Sequence, residues 1–411
     1  MAKLLITNIG LLATPAGREA KAGAAQGDIL KLENAWILAE DGVILEVGTG
    51  EPPMTEPGNG FEILDAGGRL VTPGLVDAHT HLVFGGFRQH ELADKLRGKT
   101  YLEILAAGGG ILSTLKATRA ASEAQLTAKA LAALREMLSF GVTLCEAKSG
   151  YGLSLEEELK QLRVVRNLQG TQPAELVSTF LGAHAFPPEY KEDHEGYVRL
   201  ICEEMIPAVA AAGLAEYCDV FCETGVFTME ESRRILECGL AHGLKAKIHA
   251  DEIDALGGAQ LAGELGAVSA EHLIAVTEKG IESMAKGGTI ACLLPATSFY
   301  LGADYAPARK FIEAGVPVAL ATDYNPGSCP SLNLQLVMNL ACLKDRMTPE
   351  EVLTAVTLNG AAAVGRAATH GSLEAGKRAD LVIWNAADLD FICYRFGSNL
   401  VRTVVKGGVP V

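Results

Sequence analysis

The hydrophobic pattern changes twice along the chain. The first 70 residues run in short apolar stretches broken by turn formers: Leu4-Leu5-Ile6-Thr7, then Trp36-Ile37-Leu38 and Val43-Ile44-Leu45 on either side of Asp41-Gly42, a dipeptide suited to a two-residue hairpin. Helical periodicity is absent there. The last 40 residues return to the same texture, with Asp380-Leu381-Val382-Ile383-Trp384 and Leu400-Val401-Arg402-Thr403-Val404-Val405 leading to Gly407-Gly408. Both ends therefore predict strands, and short connections would join 1–72 and 370–411 into one small, discontinuous β-sandwich domain.

Between them, over 73–369, brief β-type runs alternate with Ala/Leu/Glu-rich helical segments such as Glu123 to Leu138, the mark of repeated βα units. Eight runs are present: Leu75–Asp77, Val142–Cys145, Leu176–Leu181, Tyr217–Phe221, Leu244–His249, Val268–His272, Thr289–Leu293 and Val318–Thr322. That number predicts an α/β chain folded as a (β/α)₈ TIM barrel, whose functional residues stand just past the C-terminal strand ends. His79 and His81 follow the first run, Tyr151 the second and His184 the third, while His249 ends the fifth, His272 ends the sixth and Asp323 follows the eighth.

Composition narrows the function classes. With 411 residues, 49% of them hydrophobic, the chain can enclose a sizeable pocket, and its 45 glycines are scattered among apolar runs rather than gathered in a linker. Fifty acidic against 35 basic residues give a formal charge of −15, which would repel nucleic acid and anionic membranes. None of the nine cysteines forms a CxxC pair, so a zinc ribbon or dithiol motif is not expected and buried reduced thiols are. The N-terminus lacks a basic segment followed by a long apolar one, and no run approaches the roughly 20 apolar residues of a membrane span. A cytoplasmic protein is expected.

The chemistry is carried by Thr72 to Val83, TPGLVDAHTHLV, where His79 and His81 lie two apart at a strand end and share a face. An HxH alone is a weak signal. Joined by His249 and Asp323 from other strand ends of the same barrel, it supplies the nitrogen and oxygen ligands that Zn²⁺ or Fe²⁺/Fe³⁺ accepts. Such an ion lowers the pKa of water from about 15.7 towards 7, making hydroxide available at neutral pH. Asp323, touching metal and water, is placed to take a proton. Glu252, three residues past His249, suits either proton transfer or the first turn of a helix, where the macrodipole favours a carboxylate. His272 suits a relay or a buried structural histidine. Lys148 is expected in a structural ion pair, and Lys247 has no assigned role.

In these residues the chain resembles the amidohydrolase superfamily, whose barrel sites use an HxH after the first strand, a His after the fifth and an Asp after the eighth. Two-metal members carry a bridging lysine at the end of the fourth strand. Here that run is Tyr-Cys-Asp-Val-Phe, ending near Cys222-Glu223, so the resemblance implies one zinc or iron per chain. Within the superfamily four segments in order resemble the imidazolonepropionase family: Lys148-Ser149-Gly150-Tyr151-Gly152-Leu153, Gly182-Ala183-His184-Ala185, His249-Ala250-Asp251-Glu252 and Asp323-Tyr324-Asn325-Pro326-Gly327-Ser328.

That resemblance implies hydrolysis of 4-imidazolone-5-propanoate to N-formimidoyl-L-glutamate in histidine degradation by a homodimer, with Tyr151 and His184 among the substrate contacts. Arg88, just beyond the HxH, suits the substrate's propionate because guanidinium grips a carboxylate through two parallel hydrogen bonds. Backbone N–H groups of Asn325, Gly327 and Ser328 are expected to form an anion nest ahead of the helical run Leu332–Leu343. Tyr101 suits either closure over the ring or helix packing. The competing readings are a deaminase of the same fold, against which Arg88 and the Asn-Pro-Gly-Ser segment argue, and a non-catalytic scaffold, against which the complete ligand set argues.

Overall fold

The computed structural model describes residues 3–53, 61–99, 103 and 108–411. Four strands come from the N-terminal part, β1 (Lys3–Thr14), β2 (Leu30–Glu40), β3 (Val43–Thr49) and β4 (Phe61–Pro73). Eight follow in the middle: β5 (Leu75–Asp77), β6 (Val142–Lys148), β7 (Glu175–Ala183), β8 (Tyr217–Cys222), β9 (Lys245–Ala250), β10 (Ser269–His272), β11 (Ile290–Leu293) and β12 (Val318–Leu320). The last three are β13 (Leu381–Trp384), β14 (Val401–Lys406) and β15 (Val409–Pro410).

The chain ends share one seven-stranded sheet in the order β15-β14-β13-β4-β1-β2-β3. Asp41 and Gly42 both have positive φ, 50° and 79°, and turn β2 into β3 with Glu40 opposite Val43, as the hairpin dipeptide predicts. This turn reaches the opposite end of the sheet: Val43 bridges Arg378, and Ala379 N–H donates to Gly42 O at 2.9 Å. The sheet thus curls over a core of its own, including Ile6, Ile37, Ile44, Val71, Leu381 and Val405, in the manner of a sandwich.

The middle strands form a parallel eight-stranded sheet in sequence order. Its first and last members meet where Thr80 bridges Tyr324, with Asp323 N–H donating to His79 O at 3.0 Å and His81 N–H to Tyr324 O at 2.9 Å. Strand alternation sorts the side chains. Cys145, Phe180, Val220, Ile248, Leu293 and Leu320 join the large core shared with the surrounding helices. Leu144, Val177, Tyr217, Cys292 and Ala319 join Leu358 and Ala361 of the helix Leu358–Ala363, which closes the N-terminal end of the barrel. Two residues further along that inner face from Leu144 and Tyr217 stand Glu146 and Asp219, so the lumen turns from apolar to charged towards the strand C-termini.

The helix predicted from Glu123 spans Glu123–Ser139 and starts at a reciprocal capping box between Ser122 and Gln125. No helix among the described residues is long and apolar enough to cross a membrane.

Candidate metal centre and active site

The inner face at the strand C-termini brings together His79, His81, His249 and Asp323, all buried. His249 Nε2 is 3.4 Å from His81 Nε2, and Asp323 Oδ1 is 3.4 Å from His79 Nε2 and 3.5 Å from His81 Nε2. Ligand atoms about 2.1 Å from a common centre in a tetrahedron stand about 3.4 Å apart, so these separations suit one ion. Two further observations agree. His79 Nε2 and Asp323 Oδ1 are buried with no hydrogen-bond partner, a costly state unless a cation lies between them. Burial and neighbouring positive charge also hold the His79 and His81 imidazoles well below their usual pKa, leaving the neutral form that ligates metal.

The remaining atoms of His79, His249 and Asp323 are tied down from behind. His79 Nδ1 pairs with Glu271, whose other oxygen accepts from Ser269 Oγ, and His249 Nδ1 is 3.1 Å from Asp219. Asp323 Oδ2 accepts from Thr297 Oγ1 at 2.7 Å. Imidazoles fixed in this way present Nε2 to the pocket in a defined orientation. Lys148 stands 2.7 Å from Asp219 and 2.9 Å from Glu146, while Lys247 is 2.7 Å from Glu146, whose Oε1 also accepts from Thr179. Burial alone would lower the Lys148 pKa, but the Asp219, Glu146 and Glu271 carboxylates outweigh it and raise it. Asp219 moves the other way: burial would raise it, and His249 and Lys148 hold it well below the carboxylate range. The ion pair expected at Lys148 is present. Glu146, Asp219 and Thr297 went unnoticed in the sequence; Glu146 alone leaves a trace, as a charge two residues before Lys148 in an apolar strand.

The proposed proton carriers lie beside the ligand pocket. His272 ends β10 at φ 68° and Asp323 has φ 55°, a left-handed backbone that costs energy for residues with a side chain and gathers at functional sites. His272 Nδ1 is 3.7 Å from Glu252 Oε1. Burial pushes the Glu252 carboxyl up to about 7 and the His272 imidazole down to about 3. The helix-start alternative for Glu252 does not apply, since the helix begins at Gly258 and Asp251 accepts its first N–H groups, from Gly257, Gly258 and Ala259.

Around this centre His184 stacks on His81, centroids 4.9 Å apart, and the Tyr151 ring is 5.2 Å from His184. His184 Nδ1 is 3.0 Å from Gly150 O, so it carries the proton and leaves Nε2 as an acceptor. Arg88 lies across Gly327, where an added Cβ would fall 1.0 Å from Nη2, and its buried Nε makes no hydrogen bond but stands 3.8 Å from Glu91 Oε2.

One expectation is corrected. The Gly327 and Ser328 N–H groups donate to Asn325 Oδ1, at 2.8 and 2.7 Å, so they close a side-chain turn and form no anion nest. The following helix starts at Leu334 and is capped by Asn333. Tyr101 lies outside the described residues.

Comparison with known proteins agrees with this architecture. The amidohydrolase family profile matches residues 70–411. The imidazolonepropionase of Alkaliphilus metalliredigens is 53% identical over 411 residues, covering 99% of this chain and 97% of its own. That of Geobacillus thermodenitrificans is 53% identical over 414 residues, covering 99% and 96%. Among solved structures, a triazine hydrolase variant superposes with a TM-score of 0.76 at 18% identity, over 99% of this chain and 94% of that one, a likeness of fold. Family and donor set together imply a metal-dependent hydrolase that holds a divalent ion. The chain belongs to the amidohydrolase family and, within it, to the imidazolonepropionases.

Proposed function

We propose that this chain hydrolyses the ring amide of 4-imidazolone-5-propanoate to N-formimidoyl-L-glutamate in histidine degradation. The observation that carries the reading is a single loop, 323–328, that serves both ends of such a substrate. Its first residue, Asp323, completes the cluster of His79, His81 and His249, and Arg88 hangs on its far side through Arg88 N–H to Pro326 O at 3.3 Å. His79, His81, His249 and Asp323 would hold one zinc or iron ion per chain. That ion supplies Lewis acidity, which makes a water nucleophilic at neutral pH and offsets charge on the reacting carbonyl.

The chain's residues do the rest. Arg88 takes the propionate: its buried Nε makes no hydrogen bond, and Glu91 Oε2 at 3.8 Å is too far to occupy that donor. Ser328 Oγ accepts from Asn325 Nδ2 at 2.7 Å, which leaves its own hydroxyl proton to donate to the substrate, while Asn325 and Gly327 shape the loop beneath. Tyr151 and His184 wall the ring, and Tyr101 belongs to the same binding set. Asp323, its Oδ2 fixed by Thr297, takes the proton from the attacking water. Glu252 and His272 deliver a proton to the ring nitrogen as the C–N bond breaks, and a carboxyl titrating near 7 suits that exchange.

Assembly as a homodimer completes the reading, and sedimentation velocity tests it. The reaction is tested by incubating metal-loaded protein with fresh imidazolone propionate. Loss of the ring's ultraviolet absorbance with N-formimidoyl-L-glutamate as product is expected. Prompt ammonia release would instead assign a deaminase.

A further inference from the structure

Beneath the four ligands lies a cluster that the hydrolysis does not call on directly. Lys148 Nζ is 2.7 Å from Asp219, 2.9 Å from Glu146 and 3.9 Å from Glu271, and Lys247 Nζ is 2.7 Å from Glu146 and 3.8 Å from Glu271. All five side chains are fully buried. Ions taken out of water are costly unless opposite charge meets them at short range. Three carboxylates and two ammonium groups leave one negative charge, and Asp323 adds a second. One divalent ion, held by imidazoles in the neutral form that ligation requires, brings that total to zero.

A second feature points the same way. His79, Glu146 and Glu271 each place a ligand atom within 4.8 Å of the others, a grouping that could itself hold a metal. The two ammonium groups stand on its carboxylates.

We propose that Lys148 and Lys247 are fixed counter-charges that set the buried pocket at the charge one divalent cation neutralises, limiting the centre to a single ion and setting how tightly it is held. They are positioning residues: Lys148 acts through Asp219 on His249, and both act through Glu271 on His79. The proposal rests on the metal-ligand reading above.

The test is zinc affinity and stoichiometry, measured by competition with a chromophoric chelator on the full-length chain and independent of turnover. Glu146→Gln removes one negative charge and should weaken Zn²⁺ binding by about tenfold or more, whereas Lys148→Met removes one positive charge and should shift affinity the opposite way. The balanced double variant Lys148→Met/Glu146→Gln should return towards the parent and bind one ion. If both single changes weaken binding and the double is weaker still, the lysines act as packing and the proposal falls. Should Lys148→Met fail to fold, the proposal still requires the double variant to fold and to bind Zn²⁺ more tightly than Glu146→Gln alone; a double variant that does neither overturns it. His249→Ala serves as the control. Zinc held there at parent affinity would sink the ligand reading itself, while its loss with unaltered charge variants would sink only the counter-charge proposal.

Discussion

At His249 one ring nitrogen faces Asp219 and the other faces His81, so a single side chain joins the ligand pocket to the charges behind it. Removing that ring should strip the metal: His249→Ala is expected to lose most bound ion and nearly all turnover, read by elemental analysis and rate. Glu252→Gln should keep the ion and lose roughly 10² to 10⁴ in rate, because it removes proton transfer and leaves ligation intact. Arg88 separates recognition from chemistry. If it grips the propionate, Arg88→Ala should cost about 2–5 kcal/mol in kcat/KM on the natural substrate. It should change little on an analogue without the carboxylate, where that interaction is already missing. Equal slowing of both substrates would show general damage and remove the anchor role. Gly327→Ala is the complementary change. A methyl placed 1.0 Å from the guanidinium must displace it, so the same selective loss should follow with the metal content unchanged.

At the scale of elements, the barrel strands were readable because each is a short apolar run that ends at a chemically unusual residue. All eight predicted runs overlap β5 to β12, and His79, His184, His249 and His272 stand at or just past the ends of their strands. The charged lumen was far less legible. Glu146 meets Lys247 across 101 residues of sequence and Lys148 meets Asp219 across 71, so each charge looks like an interruption of an apolar strand until the sheet brings its partner alongside. The loop at 325–328 misled for a different reason: backbone donors near a helix read as an anion site, and whether a neighbouring asparagine has already taken them is invisible in the order of residues. Asp345, just after the helix Leu334–Leu343, carries a stability consequence. Both its oxygens are buried without hydrogen-bond partners, beside His272 and Ser298, and burial pushes its carboxyl from 3.8 to about 7. A folded-state pKa raised above the unfolded one means that its contribution is fully present below pH 4 and is lost as pH rises through 7. The loss amounts to something on the order of 4 kcal/mol. Denaturant midpoints should therefore show Asp345→Asn more stable than the parent at pH 8, with the gap closing near pH 4.

On the scale of the whole molecule, the sheet and the barrel share strands residue by residue. Along β13, Leu381 and Ile383 enter the sheet's own core, while Val382 and Trp384 enter the barrel's, and Trp384 Nε1 donates to Thr72 Oγ1 at 2.8 Å. Neither core can be dismantled without opening the other, so calorimetry should show one cooperative transition rather than two. Adding zinc should move that transition upward, by about 2.7 kcal/mol at a free concentration a hundred times Kd, and a chelator should reverse it. The join at Thr80 and Tyr324 gives this linkage a temporal meaning. His79 and His81 leave the ribosome with the first barrel strand, whereas Asp323 follows only after the last. On the proposed ligand set, until that final strand has been made and has docked the nascent chain offers an incomplete grip. An ion held by all four side chains would then act as a clasp that only a closed ring can fasten.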